Sequence, residues 1–336
     1  MSAPLVAAPP DPASVDGLQR RLRDAGYDVV ETPLIGGREW TTAELTRLFG
    51  SCDAIVAHPS QRFPAVALRA ATRLSLICSS VIGVDHIDIV AASDLGILVA
   101  NCPTEENVVG VAEATVMLMA ALMLELGRKQ GSLRAGNWRP PTTAGILRGK
   151  TVGLVGYGRI ARAVESRLQG WGVAILASDP NVPGTIGLDE LLAVADVLSL
   201  HVVLTPGTHG LIGRREMDLM KRSAIIVNTS RGGTIDEVAL AEAINSGRLA
   251  GAAIDVFSHE PLDPGNPLLS CDPARVILTP HAIGHNVETV PAAAKMAFEA
   301  VRCALRGDVP ESVVNREVIP RWKGRAASAA RGRWPD

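Results

Sequence analysis

Short apolar runs alternate with stretches of helical periodicity along most of the chain. Runs at 5–8, 27–31, 53–58, 74–78 and 97–100 predict strands. The stretches between them at 15–25, 41–49 and 63–72 predict helices. Gly26 stops the first helix, and Thr41-Thr-Ala-Glu44 has the form of a capping box. A second series predicts strands at 151–155, 173–178, 197–203, 224–231, 252–255 and 276–281, with helices at 159–168, 188–194 and 236–246. Strands separated by single helices pair in parallel, so the fold class is α/β with doubly wound parallel sheets. Between the two series lies an apolar stretch at 108–126. It carries Glu113 and Glu125, which favours a buried helix over a membrane span. Residues 128–148 contain Gly, Pro, Arg and Trp138 and predict an arm that packs against something, such as a second subunit. A helix at 291–305, with Pro291 in its first turn, returns toward the first series, and 313–319 reads as a closing segment. Arg321, Lys323, Arg325, Arg331 and Arg333 predict a solvated basic tail.

Composition narrows the class. At 336 residues the chain suits two domains, and 47% apolar with 20% charged residues suits a soluble globular protein. A formal charge of -2 and only 3% aromatics argue against a nucleic-acid partner. The five cysteines (Cys52, Cys78, Cys102, Cys271 and Cys303) are scattered, with no C-x-x-C and no zinc-like Cys/His spacing. No metal is therefore expected, and a reduced cytoplasmic compartment is. The first ten residues lack the basic start and long apolar core of a signal peptide.

The candidate chemistry sits where strands end. Thr151-Val-Gly-Leu-Val-Gly-Tyr-Gly-Arg-Ile-Ala161 is a strand, a G-x-G-x-x-A turn and a helix start. Gly156 allows the tight turn, Gly158 admits a pyrophosphate against the backbone, and Ala161 lets helix and strand pack closely. Asp179 ends the next strand, where a carboxylate meets ribose hydroxyls. Asp179 would repel a 2′-phosphate, so NAD is favoured over NADP. His201, Arg231, Asp255 and His281 also lie at or just past apolar strand ends, which line one crevice in a doubly wound sheet. Arg231 suits bidentate binding of a carboxylate. His281, with an ordinary pKa near ~6.5, suits proton transfer at neutral pH. Glu260 precedes it in a loop and is placed to bond its far nitrogen, which would raise its pKa. Glu113, on the apolar helix, reads more simply as a satisfied carboxylate than as a functional one. The loop Ser79-Ser-Val-Ile-Gly-Val-Asp-His-Ile-Asp88 also follows a strand, and exposed N–H groups there would suit a carboxylate.

Taken together, the chain resembles the D-isomer-specific 2-hydroxyacid dehydrogenase family. The matching segments are Gly83-Val-Asp-His-Ile-Asp88, Val111-Ala-Glu113, Gly156-Tyr-Gly-Arg-Ile-Ala161, His201-Val-Val-Leu-Thr205, Val227-Asn-Thr-Ser-Arg-Gly232, Ile254-Asp-Val-Phe257 with Glu260-Pro261, and Thr279-Pro-His281. The resemblance implies a flavodoxin-like substrate domain (1–104 with 287–317), an inserted Rossmann NAD-binding domain (105–286) and a tail at 318–336. It implies Arg231, Glu260 and His281 as catalytic residues. Gly156, Gly158, Arg159, Ile160, Asp179, His201, Thr229 and Asp255 would contact NAD, with Asp255 by the nicotinamide amide. Ser80, Val81, Ile82 and Gly83 would face the substrate carboxylate. It also implies a homodimer through 105–150.

Some positions depart from the family. Ser79-Ser-Val81 stands where phosphoglycerate-oxidising members often carry Arg-Ala-Gly, and Val203 replaces a common Pro. The absent Arg favours smaller or uncharged 2-hydroxy and 2-oxo acids as the small-molecule partner. D-3-phosphoglycerate oxidation remains an alternative, as does an NAD(H)-sensing, corepressor-like binding role without nucleic-acid or membrane contact of its own. A formate-type site resembles one with Gln at the position of Glu260, which ranks that reading low.

Overall fold

Five short strands open the chain: β1 (Leu5–Ala8), β2 (Asp28–Glu31), β3 (Ala54–Ala57), β4 (Leu76–Ser79) and β5 (Leu98–Ala100). They form one parallel sheet in the order β2-β1-β3-β4-β5, the flavodoxin-like order. Helices α1 (Leu18–Asp24), α2 (Thr42–Ser51), α3 (Ala65–Leu68) and α4 (Ile89–Asp94) make the crossovers. Both sheet faces are covered, which is why the inner strands are apolar throughout rather than alternating. Alternate residues feed two cores. Val6, Ala8 and Val56 join one, and Ala7, Ile55 and Ile77 the other. The capping box forms, with Thr41 N–H donating to Glu44 at 2.8 Å. The predicted helix at 63–72 shrinks to α3, because Phe63 is drawn into a bridge with Ile87 and Pro64 caps what remains. The computed structural model describes residues 3–10, 17–32, 40–141 and 143–330, with side chains as far as Gly324. Residues 15 and 16 of the predicted first helix lie outside the described residues.

The second series begins with α5 (Glu105–Met123) and α6 (Leu126–Arg134). Strands β6 (Thr151–Val155), β7 (Ala174–Ser178), β8 (Val197–Leu200), β9 (Ile225–Asn228), β10 (Gly251–Ile254) and β11 (Val276–Leu278) follow. Helices α7 (Arg159–Leu168), α8 (Leu188–Val194), α9 (Arg214–Leu219) and α10 (Glu237–Asn245) connect them. All pairs are parallel, in the order β11-β10-β9-β8-β6-β7. The order reverses between β6 and β8, and such a switch point opens a crevice at the strand ends. Contrary to expectation, α5 is not buried all round. Val108, Ala112, Val116, Leu118 and Met119 are buried, whereas Met117 is half exposed. Length and composition let α5 pass as a membrane span, but its buried face packs on β6 and α7 side chains. Glu113 is exposed, with Arg167 Nε at 3.5 Å, so it is a surface ion pair. The expected irregular arm starts as α6. It folds back because Glu125 accepts from the Thr143 hydroxyl and from Arg128 at 3.1 Å, while Gly145 N–H reaches the Met123 carbonyl at 2.9 Å.

Two last helices, α11 (Thr289–Leu305) and α12 (Ile319–Ala330), join the first sheet. Ala297, Ala300, Val301 and Ala304 of α11 enter the core that holds Val6 and Val56. The expectation of a solvated tail from residue 318 is corrected here. Val318 and Trp322 are buried in that same core, and Arg321 donates to the Ser93 and Asp94 carbonyls at 2.9 and 3.1 Å, closing the end of α4. The buried indole of Trp322, on the order of 200 Å² of surface, is the apolar anchor that holds this helix on the core. Arg331 and Arg333 lie outside the described residues. The chain thus forms two compact units, Met1–Glu106 with Asn286–Asp336 and Asn107–His285.

Candidate active site

All but four of the candidate residues lie in the second unit. The strand β6 ends at Gly156, whose φ is +82° and where an added Cβ would meet the His201 carbonyl oxygen at 2.7 Å. Only glycine fits there. Gly158 caps α7 without any side-chain bond, and a Cβ on it would meet nothing within 4 Å. The start of α7 at Gly158 therefore has room beside it, and a helix N-terminus with such room suits a phosphate anion. Ala161 is fully buried against the strand side chains Val152 and Leu154. Asp179 follows β7. Its carboxylate accepts Tyr157 N–H and Asn181 N–H, both at 2.9 Å. The bond from Tyr157 is the largest cause holding its pKa below the ordinary carboxylate value. Asp179 is thus an anion at neutral pH, beside the glycine turn, with lone pairs left for hydroxyl donors. This set fits a dinucleotide with a free 2′-hydroxyl.

His201 follows β8, and its Nε2 lies 2.9 Å from Ser199 Oγ. Burial drives its pKa down to about 4. The ring is neutral at physiological pH and acts there as a fixed hydrogen-bonding group. Thr229, past β9, lies 2.9 Å from Thr115 Oγ1, which itself donates to the Val111 carbonyl. The shared proton must therefore come from Thr229, whose own lone pairs stay open.

The reactive cluster forms where β9, β10 and β11 end. Asn228 Nδ2 and the Thr234 hydroxyl both donate to the Arg231 carbonyl, at 3.0 and 2.6 Å. Arg231 Nη1 donates to the Ser230 carbonyl at 2.7 Å, which sets the direction of the guanidinium. Gly232 lets this turn press on the segment after β10, since a Cβ there would fall 1.9 Å from the Phe257 carbonyl carbon. Glu260 Oε1 accepts Phe257 N–H at 2.9 Å, and its Oε2 lies 2.7 Å from His281 Nδ1. The hydrogen bond to Glu260 raises the His281 pKa, against the opposing effect of burial. Burial opposes ionisation of Glu260, but the bonds from His281 and Phe257 outweigh it and its pKa falls. The Arg231 charge acts on both groups, so the three converge.

Asp255, 4% exposed, holds the His281 turn. Its carbonyl accepts His281 N–H at 2.7 Å. Its Oδ1 accepts the Thr279 hydroxyl, Ala282 N–H and Ile283 N–H at 2.7, 3.1 and 3.2 Å. His281 sits at φ +52°, a left-handed conformation that costs a non-glycine residue about 1–2 kcal/mol. Four bonds to one aspartate sustain it. Asn228, Thr279 and Gly232, near strand ends, and Thr115, inside α5, thus serve the site, yet nothing in the residue pattern marked their roles. The other four candidates, Ser80, Val81, Ile82 and Gly83, follow β4 in the first unit.

The arrangement offers a dinucleotide cradle, a guanidinium for a carboxylate, and an imidazole with one nitrogen held by a carboxylate. Comparison with known proteins points the same way. Residues 116–282 match the family model described as D-isomer specific 2-hydroxyacid dehydrogenase, NAD binding domain. The chain is 37% identical to a D-3-phosphoglycerate dehydrogenase of Methanocaldococcus jannaschii over 93% of its own length and 60% of that protein. It therefore spans only about three fifths of that relative. It is 36% identical to a glyoxylate reductase of Thermofilum pendens, over 84% of this chain and 87% of the relative. A solved structure from Thermus thermophilus superimposes with a TM-score of 0.81 at 32% identity, covering 92% of this chain and 99% of that one. With an NAD-binding domain matched and a relative covered nearly end to end, the chain belongs to the D-isomer-specific 2-hydroxyacid dehydrogenase family.

Proposed function

We propose that the protein is an NAD-dependent oxidoreductase that interconverts a D-2-hydroxy acid and its 2-oxo acid. The observation that carries this is the Glu260–His281 contact at 2.7 Å, in a cluster that also feels the Arg231 charge. NAD, when bound, supplies the two-electron acceptor. Gly156, Gly158, Arg159 and Ile160 would hold its phosphates and Asp179 its ribose, and His201, Thr229 and Asp255 would contact the rest of the cofactor. Arg231 binds the substrate carboxylate and polarises the C2 oxygen. In oxidation, His281 Nε2 takes the hydroxyl proton as the C2–H bond breaks. Glu260, bonded to Nδ1, fixes the tautomer and stabilises the resulting imidazolium. In reduction the same proton returns to the C2 oxygen. The Ser80-Val81-Ile82-Gly83 turn is assigned to the substrate on the strength of the family resemblance.

Within this class we favour a small 2-oxo acid with an uncharged tail, such as glyoxylate or hydroxypyruvate. Ser79 is fully buried and carries no charge where a phosphate would need one. The test is NADH oxidation with glyoxylate, hydroxypyruvate, pyruvate and phenylpyruvate, beside NAD reduction with D-3-phosphoglycerate. A preference for D-3-phosphoglycerate would reverse the substrate reading. Tight NADH binding with no turnover on any of them would replace the enzyme by a cofactor-sensing protein.

A homodimer is proposed from the arm. Met117, Leu124, Leu126, Leu133, Trp138 and Ile146 are exposed apolar side chains along one stretch of chain, Trp138 at 76%. A second copy covers them. Sedimentation of the wild type as a dimer and of Trp138→Glu as a monomer supports this; a monomeric wild type overturns it. Five free cysteines suit a reduced, cytoplasmic setting.

A further inference from the structure

The turn after β4 is held from behind, one carbonyl at a time. Val81 O accepts Cys102 N–H at 3.0 Å, Ile82 O accepts Asn101 Nδ2 at 2.7 Å, and Gly83 O accepts the Ser79 hydroxyl at 2.6 Å. In a planar trans peptide the N–H points opposite to its C=O. Fixing these three carbonyls inward therefore aims the N–H groups of Ile82, Gly83 and Val84 the other way. Among the described residues those three N–H groups have no acceptor. The two N–H groups before them are already used. Ser80 N–H extends the sheet to the Ala57 carbonyl at 2.9 Å, and Val81 N–H reaches Ser79 Oγ at 3.3 Å. The open donors in this turn are therefore those of Ile82, Gly83 and Val84.

Three successive free N–H groups on a half-buried turn form an anion-binding concavity. We propose that Ser79 and Asn101 are positioning residues that hold this concavity open for the carboxylate of the 2-oxo acid. The proposal rests on the oxidoreductase reading above. Ser79 does this from a fully buried position with its hydroxyl spent on both ends of the turn. Neither residue needs to touch the substrate. Asn101 is anchored in turn, its N–H donating to the Ser312 carbonyl at 3.2 Å.

The test is steady-state kinetics of the full chain with glyoxylate, together with inhibition by oxamate, an uncharged-tail 2-oxo acid isostere. Ser79→Ala and Asn101→Ala are each expected to raise KM and the oxamate inhibition constant together by about tenfold. Saturated kcat and NADH affinity should stay within about threefold. Ser79→Thr keeps the hydroxyl and should restore KM toward wild type. KM and oxamate inhibition unchanged in both alanine variants would overturn the proposal, as would a fall in kcat alone. If Ser79→Ala does not fold, Asn101→Ala decides the outcome by itself. A wild type that reduces no 2-oxo acid removes the oxidoreductase reading and this proposal with it; an active wild type with indifferent variants removes only this proposal.

Discussion

Two histidines follow parallel strands of the same sheet, and their surroundings give them opposite tasks. The His201 ring, past β8, is hydrogen-bonded to the Ser199 hydroxyl, and burial lowers its pKa to about 4. His281, past β11, meets the Glu260 carboxylate, which raises its pKa against the same pull of burial. One ring is locked neutral and the other is able to carry a proton near neutral pH. The difference lies in the partner rather than in the residue: a hydroxyl cannot stabilise an imidazolium as a carboxylate does. The backbone differs as well. His281 is held in a left-handed turn by Asp255, so its orientation is set before any substrate arrives.

The sharpest way to break the contrast is to remove the titrating ring. His281→Gln should lower kcat by about 10²–10⁴, the usual worth of a general acid–base, with NADH affinity nearly intact by fluorescence titration. Unchanged kcat would take His281 out of the reaction. Arg231→Lys comes next. A point charge replaces a bidentate fork, and kcat/KM for glyoxylate should fall by about 10²-fold. An unchanged value would show that carboxylate binding lies elsewhere.

Glu260→Gln makes the environment of His281 resemble that of His201. Reduction needs protonated His281, so its rate falls as pH rises through the raised pKa. Without the carboxylate that limb should move to lower pH, toward or below ~6.5. The oxidation limb should move the same way, because oxidation needs the neutral ring and gains it earlier. Limbs that stay in place in the variant would show that Glu260 does not tune the histidine. Asp255→Asn leaves an acceptor for the turn but weakens three charge-assisted bonds. A thermal midpoint several degrees lower is expected, with kcat falling more than KM rises. The smallest effect belongs to His201→Gln, where the pH limbs should not move at all. A shift there would mean that His201 titrates in the working range.

The residue pattern alone was enough for the α/β class, the two parallel sheets and the helix after Gly158. These are local matters. Period, caps and glycines act within a few residues, and a run such as Ile225–Asn228 is apolar on both faces only because a parallel sheet buries both. The same locality explains what stayed hidden. Trp322 looked like part of a basic tail, because its neighbours are charged and its core is built from residues far away in sequence, such as Val6 and Leu98. The apolar stretch of α5 looked uniformly buried, since hydropathy does not say which side of a helix finds a partner. At the site, residue types at strand ends were enough to nominate Arg231, Glu260 and His281. The order of their bonds was not legible. That Asp255 sustains a left-handed His281, and that Asn101 and Ser79 hold the Ile82 and Gly83 carbonyls, depends on contacts the residue pattern does not show. Such contacts exist only once the chain has folded, because hydrogen bonds act over about 3 Å while sequence spacing says nothing about distance in space.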